Sequence, residues 1–282
     1  MKKSLLAIAI AAAVPAVASA QVTVFGIMDA GYFVNEEKNI KGPGVTVTNS
    51  TTGANSSGAL ASNRLGFRGT EKIGSMTAGF HYELGMDAGN TGDLSTTGGV
   101  RKSTVSLGGS FGTIEAGRNY TPIFNVSCAL DAFRCSNINV GKTVYTQFAT
   151  TRDSGQIQYT LPTMGGLTVS GSFASNVTEE TGKADTGADA VGLSAVYAAG
   201  PLSLRAGWAK REAKGGDERT ELVIGGAYTV AKGLNVLASY GDLQVDGSNG
   251  AQKSAKNGFQ IGAQYMVSDN TEIIGQFGTR DE

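Results

Sequence analysis

Four arginines, one histidine and two cysteines are the side chains of this chain that most invite a chemical role. The histidine, His81, lies between Phe80 and Tyr82 and two residues before Glu83. Nucleophilic catalysis would need a serine or cysteine beside this base, and no serine stands out as its partner. One histidine and two cysteines also lack the usual spacing of a zinc site. We therefore expect no catalytic residue, no metal site and no cofactor.

The arginines lie in segments where apolar and polar residues alternate. Arg64 and Arg68 alternate with Leu65 and Phe67. If the two apolar residues face lipid, both arginines face the opposite side, because a charge on the lipid face near the midplane costs about 2–4 kcal/mol. The same parity places Arg152 on an inner face, together with two glutamines.

Arg118 has a less regular pattern. It shares the parity of Ile114 and Ala116, whereas Glu115 takes the other face. A β-bulge near Gly117 would change this parity, because a bulge inserts one extra residue into a strand. We include Arg118 among the arginines expected to line an inner wall.

The segments that carry these residues predict β-strands. In the clearest one, a face of apolar residues alternates with a face of small or polar residues: Phe259, Ile261, Ala263, Tyr265 and Val267 against Gly258, Gln260, Gly262 and Gln264. The connections between strands are alternately short and long, which is typical of a transmembrane β-barrel. The 41 glycines and five prolines favour tight turns and leave little room for helices.

We predict thirteen strands in a single all-β domain. Their approximate bounds are 22–34, 60–71, 76–87, 100–109, 111–119, 152–161, 165–174, 188–198, 201–210, 219–230, 233–243, 257–267 and 270–279.

Aromatic residues lie near both ends of these strands, on the outward parity. Tyr197, Tyr228 and Tyr265 precede short turns, whereas Trp208 and Tyr240 precede long loops. Two aromatic belts at opposite membrane interfaces would result. In a soluble sandwich, the aromatic residues would instead collect in the middle of the strands.

Residues 1–20 predict a signal peptide. Lys2 and Lys3 precede an apolar run that ends in small residues, so we expect cleavage between Ala20 and Gln21. The run is too short to favour a membrane-anchoring helix, and no second long apolar segment follows. Without the two lysines, 21 positive charges stand against 24 negative ones, and nothing indicates a nucleic-acid partner.

Cys128 and Cys135 are the two cysteines. Export brings the chain into an oxidising compartment, which favours a disulfide that closes this short loop. The alternative is a pair of free thiols.

Several segments resemble the general-diffusion porins of the Gram-negative outer membrane, in particular the proteobacterial trimers of about 16 strands. They are the first strand, Val22–Gly31, then Arg64–Glu71 and Phe111–Pro122. Residues 152–159 resemble the strand that leaves the third loop of such porins. The resemblance extends over nearly all of residues 1–282.

The resemblance implies a porin barrel over 21–282, with a third loop at about 121–151 that folds inward and narrows the pore. It also implies that the loop faces a wall of arginines, expected here at Arg64, Arg118 and Arg152, and strand parity adds Arg68 to this constriction. In this loop Asp131 is the one acid, accompanied by Arg134 and Lys142. We therefore expect an anion-preferring pore.

The porin family further implies a homotrimer in contact with outer-membrane lipid and lipopolysaccharide, open to small ions and hydrophilic solutes. Two other functions are compatible with a barrel, namely a plugged adhesin or structural barrel, and a barrel enzyme. The many small and polar residues on inner faces favour a water-filled lumen over a plug.

A count of thirteen strands is odd, whereas bacterial single-chain barrels have an even number. Either one strand is miscounted, or residues 1–282 are the front part of a longer barrel with about three further strands. We expect the second, in which case the first and last strands are each unpaired on one side.

Overall fold

The structure is a computed structural model. It describes residues 21–40, 46–55, 60–86, 99–136, 151–177, 187–214 and 216–281. The predicted signal peptide, 1–20, lies outside these residues, and so do residues 137–150 of the predicted third loop.

Thirteen antiparallel strands form one sheet, which confirms the predicted fold class. The strands are β1 Gln21–Ile27, β4 Arg64–Ile73, β5 Met76–Gly85, β6 Val100–Gly109, β7 Gly112–Tyr120, β8 Arg152–Thr160, β9 Leu167–Val177, β10 Ala188–Ala199, β11 Leu202–Glu212, β12 Glu218–Ala231, β13 Leu234–Asp246, β14 Gln252–Ser268 and β15 Thr271–Asp281. They are hydrogen-bonded in chain order, and β1 and β15 are the two edges of the sheet, as expected.

A separate hairpin corrects the predicted first strand, 22–34. It consists of β2 Gly31–Ile40 and β3 Thr46–Asn55. The strand of the main sheet already ends at Ile27, and the carboxylate of Asp29 accepts hydrogen bonds from the backbone amides of Leu60 and Ala61 at 2.5 and 2.7 Å. This contact holds a bend that sequence alternation could not reveal, because the alternation continues through it.

The two faces of the sheet differ in polarity as the alternation predicts. Val24, Val105 and Ile273 on the outer face are 61%, 64% and 62% exposed. On the inner face, Gln156 and Gln260 are almost completely buried. The apolar face is therefore available to lipid, and the polar residues face the interior.

One short helix, α1, spans Pro122–Ala129 in the connection after β7. The hydroxyl of Thr121 caps it by accepting a hydrogen bond from the amide of Phe124 at 3.2 Å. Among the residues described, no helix has the length and apolar character needed to cross a membrane. The sequence pattern did not predict α1, because its eight residues are too few for a clear helical period.

The main apolar core lies on the inner side of the sheet, between α1 and the strands. The core consists of five side chains. Three come from α1 and the residue after it, and two come from strands β12 and β13: Ile123, Val126, Leu130, Val223 and Leu243. All five side chains are buried. This cluster fixes the connection that follows β7 on the inner face of β11 to β13.

Small residues on the inner wall let α1 approach. A Cβ atom at Gly207 of β11 would lie 3.0 Å from the Cα of Ile123, and one at Gly192 of β10 would lie 3.2 Å from the Cδ of Pro122. Farther along, a Cβ at Gly262 of β14 would lie 2.7 Å from the Cβ of Ala132. The helix and the residues after it therefore rest on glycines.

We expect Gly207→Val to displace α1, because the new side chain would overlap the helix backbone and overpacking costs about 1–3 kcal/mol. The variant should show a higher single-channel conductance and a lower thermal unfolding temperature than the wild-type protein. Gly275→Val is a matched control, since nothing lies within 4 Å of a Cβ at Gly275. Unchanged conductance in Gly207→Val would contradict the tight packing.

Candidate functional site

Three arginines, one glutamate and one tyrosine form a cluster on the inner wall, which we call the arginine cluster. Its members come from five successive strands of the sheet: Arg64 of β4, Glu83 of β5, Arg101 of β6, Tyr120 of β7 and Arg152 of β8. Because these strands are neighbours, residues far apart in sequence meet at one place.

Glu83 is the common acceptor of the arginine cluster. Its Oε1 atom accepts a hydrogen bond from Nε of Arg101 at 2.7 Å and lies 3.5 Å from Nη1 of Arg64. The hydroxyl of Tyr120 donates to the same oxygen at 3.3 Å. The Glu83 side chain is only 6% exposed, so its carboxylate is covered by these partners.

Tyr120 links the third arginine to the cluster. Its hydroxyl accepts from Nη2 of Arg101 at 3.0 Å and from Nη2 of Arg152 at 2.9 Å. The guanidinium of Arg152 also lies 4.4 Å from the centre of the Tyr120 ring. The Tyr120 ring also stacks on the ring of Phe124 of α1, with the ring centres 5.6 Å apart. The arginine cluster and the inward-folded helix are thus in direct contact.

The charges of the arginine cluster do not cancel. The cluster contains three guanidinium groups and one carboxylate, and arginine stays protonated in proteins. Like charges this close are held by the buried carboxylate and by the hydrogen bonds to Tyr120. The cluster therefore presents an excess of positive charge to the interior.

The structure places two of the predicted constriction arginines, Arg64 and Arg152, in this cluster. Arg68 lies on the same inner face, four residues farther along β4, with its guanidinium 5.4 Å from the centre of the Phe25 ring.

Arg118 is placed differently. It pairs with Ser103, which in turn pairs with Tyr82, and Tyr82 belongs to the exposed outer face. The pairing of β7 with β8 is indeed irregular between Gly117 and Asn119, yet the register keeps Arg118 on the face opposite to the arginine cluster. Its guanidinium donates to the carbonyl of Val100 at 2.7 Å and to the hydroxyl of Ser154 at 2.9 Å.

Asp131 serves the loop itself. Its carboxylate accepts hydrogen bonds from the backbone amides of Phe133 at 3.0 Å and Cys135 at 2.7 Å. The side chain is buried, so it stabilises the turn that follows α1. Cys128 and Cys135 are joined by a disulfide across this turn, with their Cα atoms 4.9 Å apart.

Sequence reasoning missed Arg101, and it did not assign Glu83 or Tyr120 to the site. The inward parity of Glu83 was visible beside His81, but its role as common acceptor was not. Sequence alternation did not predict the inward direction of the Arg101 side chain, because the register between β5 and β6 shifts after Glu83.

The residues that follow α1 form hydrogen bonds and an ion pair with β14 and β15. Gln260 and Gln264 of β14 donate to the carbonyls of Leu130 at 2.9 Å and Ala132 at 2.6 Å. Arg134 makes a two-pronged ion pair with Glu272 of β15, at 2.5 and 2.8 Å. This contact raises the pKa of Arg134 above its usual value.

Comparison with known proteins agrees with this architecture. The model of the Gram-negative porin family matches residues 6–282. Outer membrane porin protein 32 of Delftia acidovorans is 33% identical over 297 residues, which cover 100% of this chain and 81% of the relative.

Solved structures give the same result. The anion-selective porin from Comamonas acidovorans is 28% identical, with a TM-score of 0.73 over 93% of this chain and 79% of that one. Salmonella typhi OmpF is 17% identical, with a TM-score of 0.59 over 93% of this chain and 92% of its own, and shares the fold.

We expect mass spectrometry of the unreduced protein to show a mature chain lighter by two hydrogen atoms than the reduced one, because the disulfide joins Cys128 to Cys135. Replacing both cysteines by serine should make the single-channel current noisier without unfolding the protein, since the sheet does not depend on this bond. Thiols that react with an alkylating reagent before reduction would contradict the disulfide.

We also expect Glu272→Gln to have only a small effect by itself. Arg134 is more than half exposed, and exposed ion pairs contribute about 0.2–1 kcal/mol. The same change in the double serine variant should increase the current noise further, because the loop then loses both restraints. Equal noise in the double and triple variants would show that the ion pair does not restrain the loop.

Proposed function

Because this chain belongs to the Gram-negative porin family, we propose that its pore prefers small anions among the hydrophilic solutes that diffuse through it. The protein is an outer-membrane porin.

The observation that supports this preference is the net positive charge of the arginine cluster. Arg64 and Arg101 contact the single carboxylate of Glu83, and Arg152 joins them through the hydroxyl of Tyr120. A narrow water-filled passage with fixed positive charge on its wall lowers the energy of an anion and raises that of a cation. Passage itself is passive, because solutes stay hydrated in the lumen.

The inward-folded loop does not offset this charge. Asp131 is the one acid within 121–151, and its carboxylate accepts hydrogen bonds from amides of the loop itself. The porin from Comamonas acidovorans, which shares 28% of its residues with this chain, is described as anion-selective. Both facts support the same preference.

We further propose that the porin is a homotrimer whose apolar outer face contacts lipid and lipopolysaccharide, and that it has no catalytic activity. Family membership and the exposed apolar residues of the outer face support this. Passage of solutes through purified protein in a planar bilayer distinguishes a pore from a plugged adhesin, which would give no large steady current steps.

We expect reversal potentials in a potassium chloride gradient to show a preference for chloride. Arg101→Gln and Arg152→Gln should each move the permeability ratio towards equality, because each removes one positive charge from the arginine cluster. The wild-type preference should also weaken as the Debye length falls from about 10 Å at 0.1 M to about 3 Å at 1 M salt.

Lys232→Gln is the matched control for this experiment. Lys232 lies in the short turn between β12 and β13, is exposed, and its neutralisation should leave the permeability ratio unchanged. A wild-type preference for potassium over chloride would overturn the proposal.

A further inference from the structure

A recess of about 280 Å³ opens in the inner wall beside the arginine cluster, towards the short turn between β4 and β5. It lies across β1 and β4 to β7, and its polar lining includes Thr23, Arg68, Thr70, His81, Thr104 and Ser106. The charge preference proposed above does not use this recess.

Strand register explains why these residues meet. Thr23, Arg68, His81 and Thr104 are successive partners across four neighbouring strands and therefore share one row of the inner face. The next row towards the short turn contains Thr70, Gly79 and Ser106 in the same way. Two adjacent rows thus combine a cation, an imidazole and several hydroxyl groups.

A glycine in the second row keeps the recess open. A Cβ atom at Gly79 would lie 2.7 Å from the Oγ of Ser106 and 3.4 Å from the Cγ2 of Thr70. Because Gly79 has no side chain, both hydroxyl-bearing residues border open space instead of packing against a neighbour.

Arg68 is held in place by an aromatic ring. Its guanidinium lies 5.4 Å from the centre of the Phe25 ring, an arrangement that attracts a cation to the face of the ring. A Cβ at Gly66 would lie 2.2 Å from the Cζ of Phe25, so only glycine there lets the ring lie across the wall. The Phe25 ring, which glycine at position 66 accommodates, therefore positions the guanidinium of Arg68.

Arg68 also differs from the arginines of the cluster in its partners. Within the described part of the chain it forms no ion pair, whereas Arg64 and Arg101 share Glu83. Glu115, at the edge of the recess, is already paired with Lys102, whose Nζ lies 3.2 Å from the carboxylate. The charge of Arg68 is therefore available to a solute.

His81 lies beside Arg68 in the same row of the inner face. Its Nε2 is buried and has no hydrogen-bond partner among the described residues. The carboxylate of Glu83 lies 3.9 Å away, which is too far for a hydrogen bond. The edge of the imidazole contacts Phe25, with ring centres 5.4 Å apart. The imidazole therefore borders the recess beside the guanidinium of Arg68, while its Nε2 is covered by the surrounding protein.

We propose that this recess is a binding site for the carboxylate group of small hydroxylated solutes on their way through the pore. The carboxylate contacts Arg68, because a planar guanidinium can bind both carboxylate oxygens, and the imidazole of His81 borders it. Hydroxyl groups of the solute contact Thr70, Thr104 and Ser106, which can donate or accept. The inference rests on the proposed function, since the solute must enter the lumen to reach the recess.

The experiment uses gluconate, a carboxylate with several hydroxyl groups, and measures how it reduces the chloride current through full-length protein in a planar bilayer. Arg68→Gln should weaken the apparent affinity for gluconate about tenfold, because a charge-assisted contact is lost. Arg152→Gln should instead reduce the chloride preference and change the gluconate affinity much less. Sorbitol, a neutral polyol, should not reduce the current at the same concentrations.

Phe25→Leu is the second variant, since it keeps the charge of Arg68 and removes the ring that positions it. It should weaken gluconate binding less than Arg68→Gln does. Either variant alone tests the site, provided that it shows wild-type heat-modifiable migration on a gel.

The outcomes separate the site from the proposed charge preference. Unchanged gluconate affinity in the folded variants would overturn the site, and so would equal losses in Arg68→Gln and Arg152→Gln, which would place binding at the arginine cluster. Equal inhibition by sorbitol would show that the recess does not recognise a carboxylate. A wild-type preference for potassium, by contrast, would overturn only the anion preference.

Discussion

The constraint on which this structure depends is that backbone amides and carbonyls within lipid must find their partners inside the protein. Antiparallel pairing satisfies them, and it makes successive side chains point to opposite faces. One face of each strand must then be apolar. The polar side chains of the strands therefore lie on the inner face, where they can contact a solute. The position of a residue along its strand sets its depth in the pore.

The inner face has two regions: one packs against α1, and the other carries the arginine cluster. Around β10 to β14 it is lined by glycines and apolar residues on which α1 and the following turn rest. Around β4 to β8 it carries the arginine cluster. The stacked rings of Tyr120 and Phe124 join the two regions. The helix α1 thus packs against one wall and contacts the arginine cluster on the other.

Within the charged region, partners decide what each arginine can do. The arginines of the cluster hold one another's orientation through Glu83 and Tyr120, so they act together as a fixed field. Arg68 is held by an aromatic ring, which positions a cation without neutralising it. The same residue type therefore gives a general electrostatic bias in one place and a separate contact point in another.

The sequence by itself determined most of the strands, the polarity of the two faces and the inward direction of Arg64, Arg68 and Arg152, because these follow from a period of two along the chain. The bend after Ile27 does not interrupt this period and was not predicted. Only the tertiary structure decided which residues meet. Arg101 joined the cluster through a register shift after Glu83, and Arg134 reached Glu272, 138 residues away. Local alternation carries no information about such contacts, since they depend on how neighbouring strands are staggered and on how the loop folds back.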